Sequence, residues 1–291
     1  MGLSVVFAQI RRRRFLRTVC GFTAVMVIAA LIGYGPPAPG AGAPVVKLGH
    51  ISPLSGPLAT GAVYLRNGVE LAVKDINAAG GVKALRGARL EVVFGDSKGD
   101  PKVGASEAER LITVEKVSGL MGAYQSTVCK TVSEVAERYE VPFIINTGVL
   151  EDLTTPQKNY TFRHSARSSE FASSHIAFLA EVGRQTGKPA RTLALVHDDT
   201  DFGQSTGRAW RAALEKSRGQ FTVVLEESLP INLTDISATL SKLKALKPDA
   251  ILVAAYPTVD FLLTNGLAAN RINAMGVLFS SGGPSNPVYF D

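Results

Sequence analysis

From Val45 onward, short apolar runs rich in β-branched residues alternate with longer stretches whose apolar positions recur every three or four residues. The first run, VVKLGHI (45–51), reads as a strand. It is followed by a helix over about 57–79, with Leu65, Val69, Ala72, Val73 and Ile76 on one stripe and Glu70/Lys74 as an i,i+4 pair. Gly80-Gly81 supplies residues that tolerate positive φ at its end. RLEVVFG (89–95) is the next strand, and Asp100-Pro101 is an N-cap followed by a first helical residue, opening a helix to about Glu115. VSGLM (117–121), a helix over 127–139, and VPFII (141–145) complete a first series of four strands.

A second series begins near Tyr160 with a helix through Phe171, His175, Phe178 and Val182. Strands follow at 191–197, 221–227, 249–256 and 276–280, with helices at 204–217, 235–246 (capped by Thr234) and 258–270. Strands separated by helices imply parallel sheets covered on both faces. The fold class predicted is α/β, as two Rossmann-like lobes. The first lobe covers 44–163 and the second 164–291, after a processed segment at 1–43.

Composition changes this picture at one end only. Of the net charge of +6, five positive charges come from arginines in residues 1–43, which hold no acid, leaving +1 for the rest. No basic patch for nucleic acid follows from that balance. RRRRFLR (11–17), the apolar run 19–32 and the small-residue tail GPPAPGAGA (35–43) have the order of a secretory signal peptide. The run is shorter than the ~20 residues that span a bilayer. Arg12–Arg17 also resembles a twin-arginine signal, so either export route leads to the periplasm. Past the leader a single cysteine, Cys129, remains; with no internal disulfide available, it is expected to be a buried, inert thiol.

The stretch HISPLSGPLATG (50–61) lies between a strand and a helix. Loops at the carboxyl ends of strands form the ligand lip of open α/β sheets, and a helix N-terminus there favours an anion.

These residues also carry a resemblance. GHISPLSGPLATGAVYLRNGVELAVKDINAAGGV (49–82) resembles the opening of type I periplasmic binding proteins, in the branched-chain amino acid (Leu/Ile/Val)-binding group serving ABC importers. GDSKGDP (95–101), GAYQS (122–126), TFRHSARSS (161–169), HDDTDFGQ (197–204) and LKALKPDAILVAAYP (243–257) are similar to later segments of that family, in order. The resemblance implies a two-lobed periplasmic clamp that closes by hinge motion on a small solute and docks on an inner-membrane ABC permease. It implies no catalysis and no cofactor, and a monomer is expected. The alternative is the ligand-binding domain of a membrane receptor or sensor.

Carried over by position, Ser126 matches the serine that bonds the ligand carboxylate, and Thr147 the carbonyl that receives its ammonium. Val149 stands where amino-acid binders place a threonine, Thr60 where an aromatic shelf is common, Phe202 where a tyrosine is common, and Gly282 where a glutamate meets the ammonium. Tyr124, Gln125 and Tyr256 complete the expected set. A buried ammonium without a carboxylate partner is costly. The departures therefore favour a small organic or aromatic acid, with branched-chain amino acids second.

Family members continue beyond the last residues here, SNPVYFD, which implies a fragment or a first lobe without its last elements. Enzyme motifs such as a P-loop and H-E-x-x-H are absent from the sequence. Asp198, Asp199 and Asp201 lack a calcium-loop pattern and are expected at a solvated lip. His175 is expected in the core, while His50 and His197 end strands near the cleft.

Overall fold

The computed structural model describes residues 44–280. The leader and Gly282 lie outside the described residues. The first lobe orders its strands β2-β1-β3-β4-β5, all parallel. They are β1 (Val45–Ser52), β2 (Arg89–Asp96), β3 (Leu120–Gly122), β4 (Phe143–Ile145) and β5 (Thr161–Arg163). Helices α1 (Ala59–Ala78), α2 (Pro101–Thr113) and α3 (Ser126–Tyr139) connect the first four. The sheet thus has five strands, not the expected four. β5 is only three residues long, too short to show alternation, and it reads in sequence as part of the crossover.

The second lobe is a parallel sheet of order β7-β6-β8-β9. It comprises α4 (Ser168–Thr186), β6 (Thr192–Asp198), α5 (Asp201–Lys216), β7 (Thr222–Leu229), α6 (Ser237–Leu246), β8 (Ala250–Ala254), α7 (Pro257–Ala269) and β9 (Gly276–Phe279). In both lobes the chain order reverses beside the first strand, at β1/β3 and at β6/β8. Such switch points leave a crevice at the carboxyl ends of the strands.

The period of two decides which residues meet which helices. On β6 and β8, Leu193, Leu195 and Leu252 pack with Trp210 of α5 and Ile176 of α4. Their neighbours Val196, Ile251 and Val253 pack the other way, against Leu240 and Leu243 of α6 and Leu263 of α7. Both faces are covered, so these strands are apolar throughout. In the first lobe, Phe143 and Ile145 are buried with α2 and α3. Between them Ile144 points away and is 51% exposed, beside Phe162 of β5 at 52%.

Several local expectations are corrected. The α1 stripe is shallow: Ile76 is exposed and only Ala62 of this helix is buried. Arg66, not Lys74, pairs with Glu70, at 2.9 Å. α5 begins at Asp201, which draws Asp201, Phe202 and Gly203 into the helix from the expected loop, with the Thr200 side chain as cap. Thr234 does not cap α6; the Asp235 carboxylate accepts the Ser237 N–H at 2.9 Å instead. Asp100 does cap α2, accepting from the Lys102 and Val103 N–H groups at 2.7 and 3.0 Å. Cys129 is fully buried, and burial pushes its thiol up to about 11, so it is inert at neutral pH.

Candidate functional site

The loops after β3 and β4 face those after β6, β8 and β9 across a cavity of about 460 Å³. Six of the expected residues line it: Tyr124, Ser126, Thr147, Val149, Phe202 and Tyr256. Thr60 does not. It sits exposed on the first turn of α1, and the neighbouring Gly61 does the work there. A Cβ at Gly61 would lie 2.3 Å from the Tyr124 hydroxyl. Gln125 is turned aside: its Nε2 donates to the Gly99 carbonyl at 3.0 Å.

The floor is built by hydrogen bonds between these loops. Tyr124 has φ +73°, a left-handed conformation rare for an aromatic residue. Thr147 Oγ1 donates to the Tyr124 carbonyl at 2.8 Å and holds it there. Ser126 Oγ accepts the Val149 N–H at 3.1 Å, which leaves its hydroxyl proton for the cavity. Ser126 also opens α3, whose N-terminus carries no side-chain cap. The positive helix end therefore meets one wall, where the Tyr256 hydroxyl already accepts the Ser126 N–H.

The remaining walls are apolar. Tyr124, Phe171, Phe202, Tyr256 and Phe279 contribute five aromatic rings. The Tyr124 and Tyr256 rings stand 5.8 Å apart across the cleft, and Phe202 lies 5.5 Å from Tyr256. Burial, helped by the charge of Asp260, raises the Tyr124 hydroxyl to about 12. Burial, with Asp198 nearby, also raises the Tyr256 hydroxyl well above the usual phenol range. Both phenols are neutral donors at any physiological pH. Among the described lining residues there is no Asp, Glu, Lys or Arg.

Sequence reasoning missed Phe171, His164, Ser165, Phe279 and Ser280. Phe171 was assigned only to a helix stripe; its direction toward the cavity follows from how α4 docks. Ser280 follows β9, is 5% exposed, and its Oγ has no hydrogen-bond partner. His50 and His197, candidates by position, lie elsewhere. His50 packs edge-on to Phe94, and burial followed by the Arg66 charge depresses it to about 4. His197 Nδ1 donates to the Asp198 carbonyl beneath α5, at 2.8 Å. His175 is a core residue bonded to the Trp210 indole N–H at 3.3 Å. No group of side chains suited to a metal ion occurs among the described residues. Nor is any described helix long and apolar enough to cross a membrane.

Two doubly wound lobes meeting at their strand tips over a largely apolar chamber define a two-lobed solute-binding architecture. The chain belongs to the periplasmic binding protein family, whose model matches residues 45–286. It is 28% identical over 261 residues to the Leu/Ile/Val-binding protein homolog 7 of Brucella suis biovar 1 (strain 1330), covering 89% of this chain and 63% of the relative. A solved branched-chain amino acid transporter substrate-binding protein, LivJ from Streptococcus pneumoniae in complex with isoleucine, is 27% identical. It superposes with a TM-score of 0.70 over 81% of this chain and 64% of that one. A solute-binding protein of an ABC transporter from Rhodopseudomonas palustris, in complex with 4-hydroxybenzoate, has a TM-score of 0.67 at 23% identity. It covers 85% of this chain and 65% of that one, and it establishes fold alone. The chain thus spans under two thirds of the length of these relatives.

Proposed function

We propose that this chain is the solute-capturing part of an ABC importer. It takes a small carboxylate into the interlobe cavity and closes on it by hinge motion. The observation that carries this reading is the pairing of one polar wall with an otherwise aromatic chamber. The positive end of α3 and the free Ser126 hydroxyl proton suit a carboxylate. The rings of Phe171, Phe202 and Phe279 suit its apolar body.

The same chamber offers an α-ammonium no carboxylate among the described residues. An aromatic or other organic acid is therefore placed ahead of leucine and isoleucine. The 27% identity to a protein solved with isoleucine keeps branched-chain amino acids as the second class. The cavity of about 460 Å³ has room for either. Closure needs no bond to be made or broken: a solute touching both lobes stabilises the state in which they meet.

Isothermal calorimetry with benzoate, 4-hydroxybenzoate, 3-phenylpropanoate, leucine and isoleucine tests the reading. Binding of at least one acid more tightly than leucine is expected. Tight leucine binding with no response to the acids reverses the ordering, and no binding by any of the five rejects the carboxylate reading.

A further inference from the structure

The cleft holds a second chamber, of about 380 Å³, and its character is opposite to the first. Its lining includes Gly99, Gln125, Asp199, Thr200 and Asp201. Three residues line both chambers: Ser126, Phe202 and Tyr256. These three are the common wall, and Tyr256 is the one that crosses the cleft. It enters from the second lobe, at the N-cap of α7. Its ring reaches Tyr124 of the first lobe, 5.8 Å away, and is backed by Phe202 at 5.5 Å. Its backbone is anchored as well, since the Tyr256 N–H donates to Asp198 Oδ2 at 2.9 Å. Only 8% of the residue is exposed, so the ring is held and not swinging.

The outer chamber is suited to a group rich in hydrogen-bond donors. Asp199 and Asp201 line it, both exposed, and Asp199 Oδ1 already accepts the Ile231 N–H at 3.1 Å. Gln125, 8% exposed, leaves its Oε1 with no partner. The orientation of that amide follows from its neighbour: the Gly99 carbonyl only accepts, so Nε2 must face it and Oε1 must face away. A buried unpaired acceptor is costly and is relieved by a donor. The inner chamber has no carboxylate among its described residues.

We propose that Tyr256 is a partition that selects solute class. By keeping the acid-bearing outer chamber apart from the inner cavity, it denies a bound carboxylate's α-ammonium the partners that lie one ring's thickness away. Selectivity against amino acids then comes from a barrier as much as from a missing glutamate, since specificity is a difference between two affinities. This rests on the inner cavity being the carboxylate site.

The test uses a solute pair that differs only in the ammonium, 3-phenylpropanoate and phenylalanine, titrated calorimetrically into the full chain. Wild type is expected to favour 3-phenylpropanoate. In Tyr256→Ala the ratio of the two dissociation constants is expected to move toward phenylalanine by about tenfold. Adding Asp201→Asn to that variant is expected to undo at least half of the shift, while changing the wild-type ratio far less. Tyr256→Leu, which also lacks the phenol that spans the cleft, serves if the alanine variant does not fold. A ratio that moves less than threefold overturns the partition, and a shift insensitive to Asp201→Asn overturns the part played by the acids. If wild type binds neither solute, nor benzoate, 4-hydroxybenzoate, leucine or isoleucine, the carboxylate reading fails by itself. A crystal structure of Tyr256→Ala then decides the partition: one continuous cavity supports it, and two separate cavities overturn it.

Discussion

Gly61 and Tyr124 show how one missing side chain shapes the site. The Tyr124 hydroxyl occupies the space where a Cβ at residue 61 would stand, and the ring itself is packed against Tyr256. Gly61→Ala is therefore expected to push Tyr124 into the cavity and weaken solute binding at least tenfold, with little change in the melt; titration calorimetry and thermal melts check this together. Ser126→Ala removes a hydroxyl that accepts from Val149 and is free to donate. Its expected cost is a tenfold to hundredfold loss of affinity for a carboxylate solute, the usual range for a hydrogen bond to a charged group.

His50 carries the pH prediction. Burial first, and the Arg66 charge second, lower it from 6.5 to about 4 in the folded chain. The unfolded chain then binds the proton more readily, so the stability this neutral histidine confers is complete above pH 6.5 and is lost as pH falls toward 4. The lost stability is on the order of 3 kcal/mol. Thermal melts between pH 7 and pH 4 are expected to fall more steeply for wild type than for His50→Gln; equal slopes contradict it.

At the scale of elements, the second sheet has a fully buried central strand in β8. Leu252 is fully buried midway along β8, between β6 and β9. Leu252→Ala is expected to cost about 2–5 kcal/mol by leaving a cavity, read as a lower denaturant midpoint. The first sheet differs on its open face, where Ile144 and Phe162 lie side by side and half exposed. Paired apolar residues on an uncovered face invite association. Phe162→Ser is expected to shift stability by no more than about 0.5 kcal/mol while lowering dye binding and aggregation.

Elements were legible where their pattern was long. The unbroken apolar runs LALV on β6 and ILVA on β8 mark fully covered strands, and both lie where the pattern put them. β5 escaped because three residues have no period. The depth of α1 escaped too: its stripe is regular in sequence, yet Ala72 and Ile76 remain exposed because few side chains cover that side.

For the whole molecule, the two lobes are joined through the Arg163–Arg167 crossover and touch again at the cleft. Leu58 and Val149 of the first lobe join the second-lobe core, and the Tyr124 ring meets that of Tyr256. A solute that bridges the lobes is expected to raise the melting temperature by mass action, about 2.7 kcal/mol at a hundredfold excess over Kd. Small-angle scattering is expected to report a smaller radius of gyration with the bound acid than without it.

The sequence alone determined the α/β class, the parallel strands, and most of the loops that reach the cavity. Those follow from period, from capping chemistry and from strand-tip position, all local properties. Tertiary structure alone decided that Thr60 faces solvent, that Gln125 turns toward Gly99, and that Phe171, Phe279 and Ser280 look inward. It also placed Tyr256 between an apolar chamber and an acidic one. The direction of a side chain across a cleft depends on how two separately wound sheets are docked, and no spacing along one chain encodes that angle.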